Sequence, residues 1–166
     1  MLYTDRFIAN DNLIIQLRPV IAAIADAAIL SSYAGFLSVS AITVYELAIK
    51  DIFNEFATKK NKVFGVFTEK YFEKINGQIK QSDLRGKHIS RFGDKYLMKF
   101  DHALQIKDTN FLTTHHATVS TAYSNLILCR HGFVHGGVPT LTANEVMTSY
   151  ELGKEVIHCL NDAMRR

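Results

Sequence analysis

Between positions 130 and 137 the chain reads Arg130-His131-Gly132-Phe133-Val134-His135-Gly136-Gly137, setting one arginine and two histidines within six residues at the end of a strongly helical segment. Arginine keeps its charge at any accessible pH and its planar fork grips a phosphate, while histidine gains and loses a proton near neutrality. Phosphodiester cleavage asks for these two things, one group to hold the phosphate and another to move a proton. On an ideal helix Arg130 and His135 stand about 140° apart around the axis. They converge only if the helix end unwinds at Gly132 or Gly136, or if a second subunit brings another copy across a cleft. Arg130 also follows Leu126 by four positions and precedes Phe133 by three, on or beside the apolar stripe. The plainer reading is therefore an edge arginine laying its methylenes on the core.

His131 and His135 share one helix face at i and i+4, a spacing that also suits a metal. The zincin pattern would place glutamate where Gly132 stands, so that mechanism is excluded. A third ligand would have to come from His115, His116, His158 or Glu145, and nothing in the spacing places one. The adjacent His115 and His116 diverge and read as a solvated helix start. Glu46 lies between Ile42 and Ile49 on an apolar stripe, where a carboxylate needs a partner or an edge. It either reaches solvent, pairs with Arg130, orients a histidine from the next helix, or is satisfied by Lys50 one turn later.

The elements that must carry these residues are helical. The 166 residues are 48% hydrophobic and 21% charged, an ordinary globular composition with room for a core. The net charge of +3 permits an anionic partner without demanding one. Cys129 and Cys159 lack metal-type spacing and suit a reduced, cytoplasmic protein. The apolar stretch from Leu13 to Leu30 is broken by Gln16, Arg18 and Asp26, which argues against a membrane span, and Asp5 and Asp11 argue against a signal peptide.

Helical periodicity predicts a first helix from Asp11 to Leu30, bent or restarted at Pro19, and a second from Phe36 to Thr58. A short helix carries Val63, Phe64, Phe67, Tyr71, Phe72 and Ile75 and ends near Gly77. Residues 82–93 read as a polar connection, and Tyr96 to Leu104 as another short helix. A long helix from His116 to Phe133 ends at Gly136 and Gly137. Thr142 and Glu145 form a capping box that opens the last helix, through Val146, Tyr150, Val156, Ile157 and Leu160. The expectation is one all-α domain over residues 1–166, an up-and-down bundle of about five main helices.

With the motif in that context, the chain resembles HEPN-domain proteins. Arg130 and His135, with four residues between them and glycine following, look like the Arg-x4–6-His signature of that superfamily. His131 holds the polar position that is often asparagine or aspartate. Tyr45 with Glu46 resembles the family's aromatic–acidic pair, and the capped last helix with Tyr150 and Gly153 is similar too. The variant resembles the RiboL-PSP-HEPN group most. The resemblance implies a metal-independent endoribonuclease without a cofactor, a homodimer whose two motifs face each other across one cleft. His135 would act as general base or acid, and Arg130 would hold the scissile phosphate. His131 would add phosphate or base contacts or a second proton transfer, and Glu46 would support. The products would be a 2′,3′-cyclic phosphate and a 5′-hydroxyl. The implied role is a toxin or phage-defence effector held by an antitoxin or activator protein. The alternative is a catalytically inactive HEPN-like module that binds nucleotide or a partner and dimerises.

Overall fold

A computed structural model describes residues 2–74 and 76–165, and among them every regular element is helical. Seven α-helices follow in order: α1 (Asp5–Ala22), α2 (Ala27–Lys60), α3 (Lys62–Glu73), α4 (Gln81–Asp83), α5 (Asp94–His115), α6 (Val119–Gly136) and α7 (Ala143–Met164). The all-α expectation holds, with more helices than the five expected.

α1 continues past Pro19 to Ala22, with Pro19 forfeiting the hydrogen bond its missing N–H would make. The break falls instead at residues 23–26, where the Asp26 carboxylate accepts the Ala28 and Ile29 amides at 2.8 and 3.1 Å and starts α2. The stretch from Leu13 to Leu30 is thus two helices. By length and composition α2 is apolar enough to cross a bilayer, its most apolar window having a mean hydropathy of 1.6. Here it is the central helix, packed on α1, α3, α6 and α7.

Of residues 82–93, expected as a polar connection, all but Gly93 are helical. α4 runs into a π turn (Leu84–His88) and then a 3-10 turn (Ile89–Phe92). The changing period buries Ile89 together with Leu84 and His88, although at 3.6 residues per turn Ile89 would stand about 140° from Leu84. His88 sits against Phe53 and Phe72, with ring centroids 6.2 and 5.3 Å away. Its Nε2 donates to the Gln78 carbonyl at 2.8 Å. α5 is twice the expected length and packs on α7, helped by Lys107 paired with Glu155 at 2.7 Å. Ile75 lies outside the described residues.

Directions follow from paired contacts. Tyr3, just before α1, meets His158 of α7, and Asp11 of α1 meets Tyr150, so these helices are antiparallel. Gly35 and Tyr45 of α2 lie against Phe133 and Tyr123 of α6, so these are antiparallel too. The end of α1, the start of α2, the end of α6 and the start of α7 therefore gather at one end of the bundle.

At its centre Tyr45 is stacked between Tyr123 and Tyr150, with centroids at 5.4 and 5.6 Å and rings within 9° and 18° of parallel. Burial raises all three phenol pKa values, so the hydroxyls keep their protons. Tyr45 donates to the Tyr150 carbonyl, Tyr123 to the Ile79 carbonyl and Tyr150 to Asp11. Gly153 makes room for this, since a Cβ there would lie 2.6 Å from the Tyr45 hydroxyl.

Two outcomes are expected. Tyr45→Phe lowers stability by about 1 kcal/mol, leaving the Tyr150 carbonyl its helical bond, while Gly153→Ala costs about 1–3 kcal/mol through the clash; urea unfolding measures both. Burial lowers the His88 and His158 pKa values. The unfolded chain then binds more protons, so stability is complete above about pH 6.5 and falls as pH drops from there toward the folded-state pKa values. Melting temperatures taken from about pH 7.5 to about pH 5.5 should show this decline, and His88→Leu should shallow it.

Candidate active site

α6 places the motif. Thr118 caps its start by accepting the Thr121 amide at 3.0 Å, and Val119, Tyr123, Leu126 and Cys129 are buried. Gly137 closes it in the left-handed conformation (φ 71°), its amide donating to the Phe133 carbonyl at 2.9 Å. The helix is regular through Gly132 and ends only after Gly136, so His135 is still helical. Unwinding at Gly132, one of two routes to convergence, is not what this chain does. Gly132 has its own reason to be small: a Cβ there would sit 2.9 Å from the Val138 carbonyl and 3.6 Å from the Thr140 methyl, so the loop after α6 folds back against the motif.

Arg130 is half-buried, and His131 and His135 are exposed. The two imidazoles lie 4.5 Å apart between centroids, tilted by 50°. Arg130 and His135 point to different sides of one regular helix, as the spacing requires. Arg6 and Arg85 are tied to Asp51 and Asp101, and Arg91 lies over Tyr71. Arg130 has no ion pair among the described residues. At the same end of the bundle the carboxylates of Asp26 and Glu145 accept from backbone amides, Asp26 at the start of α2 and Glu145 from Thr142.

Glu46 is elsewhere. Its Oε1 accepts from Lys50 at 2.8 Å and its Oε2 from the Gly77 amide at 2.8 Å. Given the antiparallel register, Arg130 comes level with Ser38 on α2, and Ser38 lies eight residues, about 12 Å of helix rise, from Glu46. Of the partners considered, Lys50 is the one in place, and neither Arg130 nor a histidine is. Sequence reasoning missed the Gly77 amide, a tertiary contact without a local signal.

The histidines named as metal ligands disperse. His115 and His116 end α5 rather than start α6: His115 stacks on Phe111 at 5.0 Å, and His116 is the left-handed cap with φ 54°. His158 bonds Tyr3 near the opposite end, and Glu145 is held in the capping box with Thr142. Among the described residues no group of three His, Cys, Asp or Glu side chains is placed to hold a metal. Both thiols are buried, and burial pushes Cys159 up to about 11, away from thiolate chemistry.

An all-helical bundle whose penultimate helix ends in Arg-x4-His and glycine is the HEPN type of domain. The RiboL-PSP-HEPN family model matches residues 5–166, and the chain belongs to that family. No curated protein and no solved structure matches it.

Because Glu46 ties the residue 76–77 turn to α2, Glu46→Gln should cost about 1 kcal/mol, a shift of roughly 2–4 °C in melting temperature, without altering the motif. An equal loss of stability in Lys50→Met, and no further loss in the double variant, would show that the pair acts as one unit.

Proposed function

We propose that this protein is a metal-independent endoribonuclease of the cytoplasm, working as a homodimer in which two copies of the motif form one site. The observation that carries this reading is the orientation of the motif: a half-buried Arg130 without an ion pair and an exposed His135, held on different sides of a helix that stays regular between them. One chain cannot close these two groups on one phosphate, and a twofold partner can. The surface beside the motif suits such a partner. Gly35 packs on Phe133, and the next residues along each helix, Phe36 and Val134, are 50% and 48% exposed, with Ile29 one turn pair away on α2 at 48%. Apolar side chains rimmed by histidine and arginine are the makings of an interface.

In that site His135 takes the proton of the ribose 2′-hydroxyl as the 2′-oxygen attacks phosphorus. The bond to the 5′-oxygen breaks, and a protonated imidazole, His131 or the second copy of His135, donates to the leaving oxygen. Arg130 faces the negative charge that grows on the phosphoryl oxygens. The products are a 2′,3′-cyclic phosphate and a 5′-hydroxyl, and DNA, lacking the nucleophile, is spared. Membership of the RiboL-PSP-HEPN family supports this chemistry. A chain that cuts RNA needs restraint, so we place it among toxins or phage-defence effectors governed by an antitoxin or activator protein.

The purified chain should cut single-stranded RNA in excess chelator. His135→Ala and Arg130→Ala should each lower kcat by about 100-fold or more at unchanged stability. Phe36→Asp should give the mass of one chain by light scattering and lose cleavage with it. Full activity in both motif variants, or dependence on added metal, would overturn the assignment.

A further inference from the structure

Next to the motif the end of α1, the start of α2, the loop after α6 and the start of α7 line a cleft of about 760 Å³, within the roughly 300–1,000 Å³ typical of small-ligand sites. Ile24, Leu30 and Leu141 supply apolar walls, Ser31 and Thr140 supply hydroxyls, and the charged groups are an exposed Arg18 and Glu145, whose carboxylate is held by the Thr142 amide and hydroxyl. The cleft is continuous with the motif, since Thr140, which lines it, packs against Gly132 between Arg130 and His135. Arg18, like Arg130, has no ion pair among the described residues, whereas Arg6 and Arg85 are bound to carboxylates. Apolar walls with a few hydroxyls suit an unstacked base, and an unpaired guanidinium at the mouth suits the phosphate that follows it.

From this arrangement we infer that the cleft receives one nucleotide of the RNA chain beside the scissile phosphate, its base between Ile24, Leu30 and Leu141 and its phosphate on Arg18. The inference rests on the reading of Arg130 and His135 as the cleavage site and names what that site selects: single-stranded RNA with a splayed base, not duplex. Arg18 would act on substrate affinity and Arg130 on the reacting phosphate, so their loss should be felt in different constants.

The test uses the full chain, fluorescent pentaribonucleotides and the free nucleoside monophosphates. In active protein Arg18→Ala should raise KM for the pentamers by about tenfold and leave kcat within about twofold. Ser31→Phe, which fills the cleft, should do the same and flatten any preference among the four bases. The affinity of the uncut pentamer is measured in the His135→Ala background, with and without Arg18→Ala, and should fall by the same factor. Unchanged KM and affinity in both cleft variants would overturn the inference, as would tight binding of a free monophosphate that leaves the pentamer's KM untouched. If His135→Ala still cuts RNA, the assignment of the motif fails, while the pentamer affinities still decide what the cleft holds.

Discussion

The stack of Tyr45 between Tyr123 and Tyr150 is the contact on which the rest of this bundle depends. It joins α2, α6 and α7 with flat surfaces that bury a large apolar area, and its hydroxyls each end on a fixed acceptor. Because Tyr45 fixes the level of α2 against both partners, it also sets where Phe133 meets Gly35, about ten residues toward the motif. A slip by one turn would put the Phe133 ring into a side chain instead of a glycine. The stack thus fixes the height at which Arg130 and the histidines emerge.

Ion pairs tie element to element away from the motif: Arg6 with Asp51, Lys154 with Asp11, Arg85 with Asp101 and Lys107 with Glu155. At the motif end Asp26 and Glu145 start α2 and α7 while keeping their charge, and Arg18 and Arg130 make no ion pair among the described residues. The oxygens of these two carboxylates are occupied by helix capping instead of ion pairing.

What could be read from the sequence was what short-range chemistry determines. The glycine stop after α6 and the Thr142–Glu145 capping box are local signals, and both stand where expected. The Lys50 partner of Glu46 is a neighbour one turn away and was within reach of the same logic. α5 was foreshortened because only Phe100 and Leu104 are buried along its length, too sparse a stripe to show a period. The helical turns within residues 82–93 were lost because a π turn followed by a 3-10 turn has no single period to detect. The join between α1 and α2 was misplaced because Asp26 caps without a glutamate three positions on, Ile29 standing there instead. The cleft beside the motif was invisible for a different reason: its walls come from two segments far apart in the chain, residues 18–31 and 139–145.

Cys129 immediately precedes Arg130 and is fully enclosed, as Cys159 is nearly so on α7. A thiol reagent meets either sulfur only when its helix parts from its neighbours. The rate at which Cys129 is alkylated in the folded protein therefore reports the opening of the helix bearing the motif, and the rate at Cys159 reports that of α7. With no other sulfhydryl in the chain, the two rates separate breathing of the motif helix from loosening of the scaffold, without any added probe.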